Sequence, residues 1–482
     1  MADVSGISQS TIDATVAAYK ATLQQPLTNL QNQQTTDQAR LSALSTLKTK
    51  MDTLMTTLQN ITTIGSDAGL IAYDVGSSDP SVVTATATSS ATVGSHSLLV
   101  TQLAQTDMVL TSTVNASGTS IADTEGAGTK TIQVTVNGVT TNVNVDIAAG
   151  DSNSTVLSNL AKAINSADSS VSASVLSVNG TDDRLVINGK STGSQGAISL
   201  GDVSGTLLST LGLGAGVVSA RTASTSTTGG FSHTDVSALN AEFQFDGIDF
   251  VKDSNTISNI IPGLSIQLTG TQSATDTPVS LTVGLDKSNI QSVLQSFISQ
   301  YNDVLSTVVS KTSVDPTTHV RQIFAGDVSF LNLRMQLQSI MGGSVSSVAT
   351  GNPSTLSQIG ISIASDGSLS ISDPSTLTAV AGTDGSPLTD LFTSAKGFAT
   401  QLQTLVNGFT NITGILASDT QSTNDQLSSL SDRITQQNTI INAKAAHYQD
   451  ELARLQAEYT YLTEQQQMIT DIVDSVTGTT SS

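Results

Sequence analysis

Cysteine and histidine, two residue types that often catalyse reactions or bind metal ions, are absent or scarce in the sequence. It has no cysteine, which excludes disulfides, thiolate metal sites and a cysteine nucleophile. The four histidines are His96, His233, His319 and His447, and no two of them lie near each other in sequence. Because a metal or catalytic site needs several groups with defined spacing, we predict neither role for these histidines.

Three short motifs resemble known signatures but lack a required residue or setting. Residues 189–191 read Gly-Lys-Ser, as at the end of a P-loop, yet Arg184 stands where that loop needs its first glycine. Residues 212–216 lack the third glycine of a dinucleotide-binding fingerprint, so we predict a loop there. Ser45 and Lys48 match S-x-x-K, but they lie in a helical apolar pattern, which favours a chance match.

Two acidic clusters could touch a cation, namely Asp182-Asp183 and residues 123–125. Neither cluster supplies the roughly six to eight oxygen ligands of a calcium site, and a solvated turn accounts for each of them. No nucleophile in the sequence has a base beside it. The sequence therefore predicts no enzyme, no metal site and no cofactor.

The chain is acidic throughout, with 18 Lys and Arg against 39 Asp and Glu, giving a net charge of −21. Without a basic patch, binding to nucleic acid or to an anionic membrane is not expected, and no window is apolar enough for membrane insertion. Residues 1–20 carry Asp3 and Asp13 and lack the apolar core of a signal peptide. The Ser/Thr/Asn/Gly-rich middle nevertheless resembles exported surface proteins, so we expect export without a cleaved signal peptide.

The strongest pattern in the sequence is an apolar seam near the C-terminus. From residue 427 to residue 476 an apolar residue recurs every seven positions, with no Pro or Gly in the range. Such a seam predicts a helix of roughly 75 Å, at about 1.5 Å per residue, wrapped on a partner helix, although a helix lying on its own globular core is an alternative. The seam consists of Leu427, Ile434, Ile441, Tyr448, Leu455, Leu462, Ile469 and Val476, and a partly polar second seam of Ser431, Asn438, Ala445, Leu452, Tyr459, Gln466 and Val473.

A similar pattern near the N-terminus predicts a helix over residues 8–61. Its apolar seam includes Ile12, Val16, Leu23, Leu30, Leu44, Leu47, Met51, Leu54 and Leu58. Pro26 lacks a backbone donor, so the helix is expected to break or restart there. Between residues 31 and 40 the seam is polar, which predicts either a solvated helix face or a segment that folds only on binding. We expect the two terminal helices to be partners.

The middle of the chain switches to β patterns. Residues 129–200 predict a ββαββ unit with a type I′ turn at Asn137-Gly138, and residues 201–230 predict a loop. A helix at residues 387–416 is expected to precede the long C-terminal helix. The predicted fold class is α+β multidomain, with N- and C-terminal helices paired in a coiled-coil stalk and β-rich globular domains inserted between them.

Six segments follow from these patterns. They are residues 1–70 as an N-terminal helical segment of the stalk, 71–125 as the first strand segment of a stalk-proximal domain, 126–235 as the ββαββ insertion and loop, 236–285 as a β-rich domain, 286–420 as helices and a hairpin of the stalk-proximal domain, and 421–482 as the C-terminal coiled-coil segment of the stalk and a tail.

The order of several short motifs resembles the family of bacterial flagellar filament cap proteins, also called flagellar hook-associated protein 2. The resemblance runs over nearly the full length, and it rests on the order of the motifs rather than on any one of them. The motifs include Ile12-Asp13, Pro26-Leu27, Ser78–Ala87, Gly94–Gln105, the ββαββ unit with Ala163-Ile164-Asn165, Phe297–Asn302, Ala325-Gly326-Asp327, Ile359-Gly360-Ile361, Asp366-Gly367 and Leu427–Leu462.

This resemblance implies a structural assembly factor. Family members form a small ring, often of five subunits, at the tip of the growing filament, where exported flagellin folds and inserts beneath a plate of β domains. Its implied partners are further copies of the chain, flagellin, the hook-associated junction protein, and a type III export chaperone that holds the C-terminal segment. The implied location is extracellular, and in some bacteria the cap also adheres to host surfaces.

Two other readings remain open from the sequence. Flagellin and the hook–filament junction protein also place helices at both ends of the chain. A coiled-coil surface adhesin would share the seams and the composition without any role in filament assembly.

Overall fold

The computed structural model describes residues 8–63 and 69–478 of the 482-residue chain. The chain divides into two compact units. The helical unit comprises residues 1–63, 291–380 and 386–482, and the β unit comprises residues 64–290 and 381–385. In sequence, the β unit is therefore inserted between the two ends of the chain that build the helical unit. The predicted α+β class with helices at both ends is confirmed.

Helices of very different length form within the described residues. They are α1 (Gln9–Leu23), α2 (Gln25–Thr62), α3 (Ser120–Glu125), α4 (Asn153–Ala167), α5 (Leu207–Thr210), α6 (Ala215–Ser219), α7 (Lys287–Thr312), α8 (Val328–Gly342), α9 (Pro374–Val380), α10 (Ser386–Thr393), α11 (Phe398–Thr410) and α12 (Ile415–Gly478).

The interruption near the N-terminus falls where the sequence predicts it. Ser8 caps α1 by accepting a hydrogen bond from the Thr11 backbone N–H. α1 ends at Leu23 and α2 begins at Gln25, with Pro26 in its first turn, a position where the missing backbone donor costs little. α2 then continues without a break to Thr62, so the polar stretch of residues 31–40 is an ordinary part of the helix.

Aromatic side chains fill the core of the helical unit. Phe324 and Phe330 stack with ring centroids 4.1 Å apart, and Phe330 lies 6.4 Å from Phe409 on α11. A second group brings Phe297 within 6.0 Å of Phe392 in an edge-to-face arrangement. Phe392 also lies 6.1 Å from Phe398 on α11, so these contacts join α7, α8, α10 and α11 into one packed body.

The strands are short, and most belong to the β unit. They are β1 (Tyr73–Ser77), β2 (Val83–Ala87), β3 (Gly94–Gln102), β4 (Thr106–Leu110), β5 (Val114–Asn115), β6 (Gly128–Val136), β7 (Val139–Ile147), β8 (Val171–Ser177), β9 (Asp182–Thr192), β10 (Ile198–Ser204), β11 (Gly230–Phe231), β12 (Ala241–Phe245), β13 (Ile248–Lys252), β14 (Thr256–Ser258), β15 (Leu264–Leu268), β16 (Val279–Leu285), β17 (Ile361–Ile363) and β18 (Leu369–Ile371).

The β unit contains two separate hydrophobic cores. One lies between the sheet β1-β16-β3-β12-β13 and the sheet β14-β15-β2, and residues such as Val100, Phe243 and Leu281 fill it. The other lies around α4, between the sheet β10-β6-β7 and the sheet β11-β4-β9-β5, where β8 also pairs with β9. The alternation of buried and exposed residues along β6 and β7 is that of strands with one face on a core.

The predicted ββαββ unit is present as β6, β7, α4, β8 and β9. Asn137 and Gly138 have φ values of 52° and 71°, as the type I′ turn between β6 and β7 requires. Its two hairpins, however, belong to two different sheets: β6 pairs with β10 as well as with β7, whereas β9 pairs with β4 and β5 as well as with β8. The alternation of apolar and polar residues indicates which side of each strand faces the core, but it does not indicate which strand pairs with which. The sequence therefore did not predict this division.

Three element predictions are wrong in detail. Residues 201–230, predicted as a loop, contain the end of β10 and the short helices α5 and α6, because buried leucines such as Leu207, Leu208 and Leu211 anchor them. The helix predicted over residues 387–416 is two helices, α10 and α11, with Gly397 at the start of the second. α12 begins at Ile415, earlier than the seam that starts at residue 427 predicts.

Candidate functional site: the paired terminal helices

The two ends of the chain form an antiparallel pair of helices. Tyr19 on α1 and Tyr448 on α12 lie with ring centroids 4.6 Å apart. Further along, Arg40 on α2 lies 2.9 Å from Asp419 on α12. Because residue numbers rise along one helix as they fall along the other, the helices run in opposite directions. The predicted pairing of the terminal helices is confirmed.

The second half of α2 is the best-packed part of this pair. Leu47, Met51, Leu54 and Leu58 have no exposed surface. α2 packs against both α11 and α12, and Gln403 on α11 donates a hydrogen bond of 2.7 Å to the Thr62 hydroxyl. This half of the N-terminal seam is therefore part of the core of the helical unit and not one side of a two-helix coiled coil.

The seam residues predicted from sequence differ widely in burial. The structure buries Ile12, Leu44, Leu47, Met51, Leu54, Leu58 and Ile441. It half-buries Val16, Leu23, Leu30, Leu427, Ile434, Tyr448, Leu452 and Tyr459. It exposes Leu455, Leu462 and Ile469, which are 51%, 55% and 62% exposed.

Arg40 connects three parts of the helical unit. Its guanidinium lies 2.7 Å from Asp327, which caps α8, and 2.9 Å from Asp419 on α12. It also donates to the Ile323 carbonyl at 3.4 Å and lies 5.3 Å from the centre of the Phe324 ring. Burial lowers the pKa of Arg40, but the hydrogen bonds and charges of the two carboxylates outweigh burial and raise it above its ordinary value.

This cluster explains the polar interruption of the N-terminal seam. Arg40 occupies a seam position because the opposite surface offers two carboxylates and an aromatic ring instead of an apolar groove. The sequence left two possibilities for residues 31–40, a polar helix face or a segment that folds only on binding, and in the structure these residues form part of a helix. No sequence signal pointed to Asp327 or Asp419, since each lies more than two hundred residues away.

The buried face of α12 repeats every eleven residues rather than every seven. One row of buried or half-buried residues is Leu430, Ile441, Leu452 and Thr463, a second is Ile434, Ala445 and Gln456, and a third is Gln437, Tyr448 and Tyr459. Eleven residues make three turns at about 3.67 residues per turn, so the face stays nearly parallel to the helix axis.

The heptad seam stays on the buried face from Leu427 to Tyr448 and leaves it beyond Tyr448 for this reason. A seven-residue row drifts by about 20° per heptad around a straight helix, so four heptads from Leu427 to Leu455 turn it by roughly 80°. Leu455, Leu462 and Ile469 accordingly lie outside the contact made within the chain, and Ser431 and Asn438 are exposed. Leu430 and Ala445 belong to the contact, but the heptad pattern missed Leu430 and placed Ala445 in the partly polar second seam. The eleven-residue spacing is the signal that identifies both residues.

The C-terminal part of α12 extends past α1. Given the register of Tyr19 and Tyr448, Gln9 at the start of α1 lies level with about residue 458 of α12. α12 continues for about 20 residues, or roughly 30 Å, beyond that level. From residue 464 to residue 475 every side chain is exposed, including the apolar side chains of Met468, Ile469 and Ile472.

The motifs considered for chemistry are structural parts of the fold. Lys190 and Ser191 belong to β9, and Lys48 forms an exposed ion pair of 2.6 Å with Asp52 on α2. His96 lies 2.8 Å from Asp246 at the turn between β12 and β13, and His233 contacts its neighbour Ser232. Across residues 8–63 and 69–478, no cluster of three or more His, Asp or Glu side chains is placed to hold a metal ion. Within the same residues, no helix has the length and hydropathy needed to cross a membrane.

Two family models match the chain. "Flagellar hook-associated protein 2 N-terminus" matches residues 8–107, and "Flagellar hook-associated protein 2 C-terminus" matches residues 238–464. Together they cover about two thirds of the chain and include α1, α2 and most of α12. The chain belongs to the flagellar hook-associated protein 2 family.

Relatives in this family align over nearly the whole chain. Flagellar hook-associated protein 2 of Escherichia coli (strain K12) is 29% identical over 473 residues, which cover 95% of this chain and 94% of the relative. B-type flagellar hook-associated protein 2 of Pseudomonas aeruginosa is 26% identical over 453 residues, covering 88% and 89%. The chain is therefore similar to these relatives over most of its own length and most of theirs.

A solved flagellar hook-associated protein 2 structure supports the same assignment. The D1-D2-D3 domains of the flagellar cap protein FliD from Escherichia coli align with a TM-score of 0.61 at 26% sequence identity, covering 79% of this chain and 99% of that one. The family consists of structural flagellar proteins and not of enzymes.

Proposed function

We propose that the protein caps the tip of the bacterial flagellar filament as a ring of five copies and promotes folding and insertion of exported flagellin. The observation that carries this proposal is the architecture as a whole. Both ends of the chain build one helical unit, a β unit is inserted between them, and the chain aligns with almost all of the solved D1-D2-D3 domains of a flagellar cap protein.

The helical unit suits the role of a leg. Arg40 and the buried half of α2 hold the N-terminal part of α12 in place. The last 20 or so residues of α12, in contrast, extend as a helix with exposed apolar side chains. In this proposal Leu455, Leu462 and Ile469 make contacts between chains: with neighbouring copies, with flagellin or with the hook-associated junction protein. The same segment binds an export chaperone before assembly, because an exposed apolar helix is a ready docking surface.

The proposed location is outside the cell, at the filament tip, after export by the flagellar type III apparatus. The absence of cysteine supports such a route, since the chain forms no disulfides that would resist unfolding in a narrow channel.

A complementation experiment tests the proposal. In a strain that lacks its cap protein, the chain is expected to restore filaments and swimming and to reduce the flagellin monomers shed into the medium. The triple variant Leu455→Ser/Leu462→Ser/Ile469→Ser is expected to fold and to fail, while the matched surface variant Ser431→Ala/Asn438→Ala complements. If the chain instead polymerised into filaments by itself, or if its loss affected attachment but not swimming, it would be an axial subunit or an adhesin.

A further inference from the structure

Asparagine is followed by glycine at several places in the chain, and the structure holds these places in different ways. The pairs are Asn137-Gly138, Asn179-Gly180, Asn188-Gly189 and Asn407-Gly408. An Asn-Gly pair is prone to spontaneous loss of the asparagine side-chain amide, because the glycine has no side chain to shield its backbone nitrogen. In that reaction the backbone nitrogen of the glycine attacks the side-chain carbonyl carbon of the asparagine. A pair therefore reacts where both the nitrogen and the side chain are free to move.

Two of the pairs have a backbone nitrogen that is held in regular secondary structure. Asn188-Gly189 lies inside β9, between β4 and β8, and Gly189 is buried. Asn407-Gly408 lies in α11, where each backbone N–H donates to the carbonyl four residues earlier. Asn407 and Gly408 are exposed, so exposure alone does not make this pair reactive. At both pairs the nitrogen is released only when a strand or a helix opens.

A third pair has an asparagine side chain that is held. Asn179-Gly180 lies in the turn between β8 and β9. The Asn179 side-chain carbonyl accepts hydrogen bonds from the Thr181 and Asp182 backbone N–H groups at 3.0 Å and 2.8 Å. Its amide nitrogen donates to the Asp182 carboxylate at 2.8 Å. Attack by the Gly180 nitrogen requires the side chain to leave this turn, which its own hydrogen bonds stabilise.

The Asn137-Gly138 pair has neither restraint. It forms the two-residue turn between β6 and β7, and both residues are exposed. Within the described residues, no hydrogen bond reaches the Asn137 side chain or the Gly138 N–H. The neighbouring pair of the ladder is Val136 with Val139 at the end of the hairpin, and exposed ends open at the lowest cost. A brief opening of the turn therefore lets the Gly138 nitrogen reach the Asn137 side chain.

The reaction at this turn needs only the chain and water. The Gly138 backbone nitrogen gives its proton to the solvent and bonds to the side-chain carbonyl carbon of Asn137, while the bond from that carbon to the amide nitrogen breaks and ammonia leaves. The product is a five-membered succinimide ring. Water then adds to one of the two ring carbonyls and opens the ring, which gives aspartate or, where the main chain now runs through the side chain, isoaspartate.

Both products change the end of the β6–β7 hairpin. Each adds one negative charge, so the net charge of the chain goes from −21 to −22. Isoaspartate also adds one carbon atom to the main chain, in a turn where Asn137 and Gly138 have φ values of 52° and 71°. Because a two-residue turn of this type fixes the register of its strands, the longer turn loosens the neighbouring Thr135 and Thr140, whose hydroxyls lie 2.9 Å apart.

We propose that Asn137 is a self-modifying site, which the folded chain converts to isoaspartate and aspartate without an enzyme while the other three Asn-Gly pairs stay intact. The modification marks older copies of the chain by an added charge and by an opened hairpin end. The proposal is independent of the role in filament assembly.

Peptide mapping of the full chain tests the proposal. The folded chain is incubated in mildly alkaline buffer made with heavy-oxygen water, so that each residue that loses its amide gains a heavy oxygen, and a second sample is incubated in guanidinium chloride. Trypsin cuts after Lys and Arg and places the four Asn-Gly pairs in four different peptides. Mass spectrometry with electron-transfer fragmentation measures the rate at each pair and distinguishes isoaspartate from aspartate.

Two variants compare the two hairpin turns. Asn137→Gly removes the reactive side chain and leaves a Gly-Gly turn, which suits the same backbone geometry. Asn179→Ser is the matched control, because a serine hydroxyl forms a similar turn hydrogen bond. Isoelectric focusing of the intact chains measures how fast more acidic species appear.

In the folded chain, Asn137 is expected to react at least about tenfold faster than Asn179, Asn188 or Asn407, and in guanidinium chloride the four rates should agree within about threefold, because folding no longer protects any pair. Asn137→Gly should abolish the early acidic species, and Asn179→Ser should leave their rate unchanged. Similar rates at the four pairs of the folded chain, faster reaction at one of the other three, or undiminished acidic species in Asn137→Gly would overturn the proposal.

Discussion

Tyr19 and Tyr448 face each other across the two ends of the chain, with ring centroids 4.6 Å apart and planes inclined by 46°. This contact lies between the buried residues Ile12 and Leu27 of the N-terminal helices, and so it sets the register of the paired terminal helices. Since α12 contributes most of the exposed apolar surface beyond this point, the register also decides which part of α12 is left for other chains.

The coupling between these two tyrosines is measurable. Tyr19→Ala and Tyr448→Ala should each lower the free energy of unfolding. The double variant should lower it by about 0.5–1.5 kcal/mol less than the sum of the two single losses, which is the coupling expected for an aromatic pair. Chemical denaturation of the four proteins measures it. Tyr461→Ala, at a tyrosine that is 60% exposed on the same helix, is the control and should show no coupling to Tyr19. Additive effects of Tyr19→Ala and Tyr448→Ala would contradict the register.

Arg40 should contribute more to stability than an exposed cation on the same helix. Arg40→Ala removes hydrogen bonds to two carboxylates and leaves both partly buried, so we expect a loss of about 1–3 kcal/mol. Lys48→Ala breaks an exposed pair on α2 and should cost at most about 0.5 kcal/mol. Urea denaturation at two salt concentrations measures the loss in free energy of unfolding for each variant. Equal losses for Arg40→Ala and Lys48→Ala would show that the Arg40 cluster contributes no more than a surface ion pair.

Much of the helical pairing was predictable, because local patterns control it. The apolar spacing identified Leu44, Leu47, Met51, Leu54 and Leu58, and the missing donor of Pro26 identified the break between α1 and α2. The Asn-Gly turn of the β6–β7 hairpin was likewise set by its own backbone preferences.

Features that depend on distant residues were not predictable from such patterns. Arg40 is paired by carboxylates from two remote segments, so the sequence alone could only mark its position as polar. The strands of the ββαββ unit join two sheets because of partners elsewhere in the chain. On α12 the heptad template selected Leu455, which is exposed, and passed over Gln456, which is half-buried, because a straight helix follows an eleven-residue repeat more closely.

Truncation of leucines should separate contacts within the chain from contacts between chains. Leu58 is fully buried, and Leu58→Ala should lower the free energy of unfolding by about 2–5 kcal/mol. Leu455→Ala and Leu462→Ala, at half-exposed positions, should each change it by less than about 0.5 kcal/mol in the single chain. Thermal and urea denaturation below the concentration of assembly measures these effects. A large loss for Leu462→Ala in the monomer would place that residue in an intrachain core.

The start of α9 should contain an unusually acidic carboxyl group. Hydrogen bonds from the Ser375 hydroxyl at 2.6 Å and from the Thr376 hydroxyl at 2.7 Å lower the pKa of Asp373 to about 2. Because this pKa lies below the unfolded value of about 3.9, the stabilisation is present above about pH 4 and is lost as the pH falls through about 2.

A titration of the Asp373 carboxyl carbon by NMR measures that pKa. Ser375→Ala should raise the pKa of Asp373 toward its ordinary value. Thr378→Ala should leave that pKa unchanged, because the Thr378 hydroxyl lies on the same helix but donates its hydrogen bond to the Ser375 carbonyl. An unshifted pKa in the native chain would show that the carboxylate does not cap the helix.

In the proposed function, copies of this chain assemble into a closed ring that caps a flagellar filament. Mass photometry of the purified chain at micromolar concentration, combined with electron microscopy of the same sample, tests it most directly. We predict discrete particles of five copies that appear as rings with protruding legs, and their loss in the Leu455→Ser/Leu462→Ser/Ile469→Ser variant. Monomers alone, or open fibres of indefinite length, would contradict the claim.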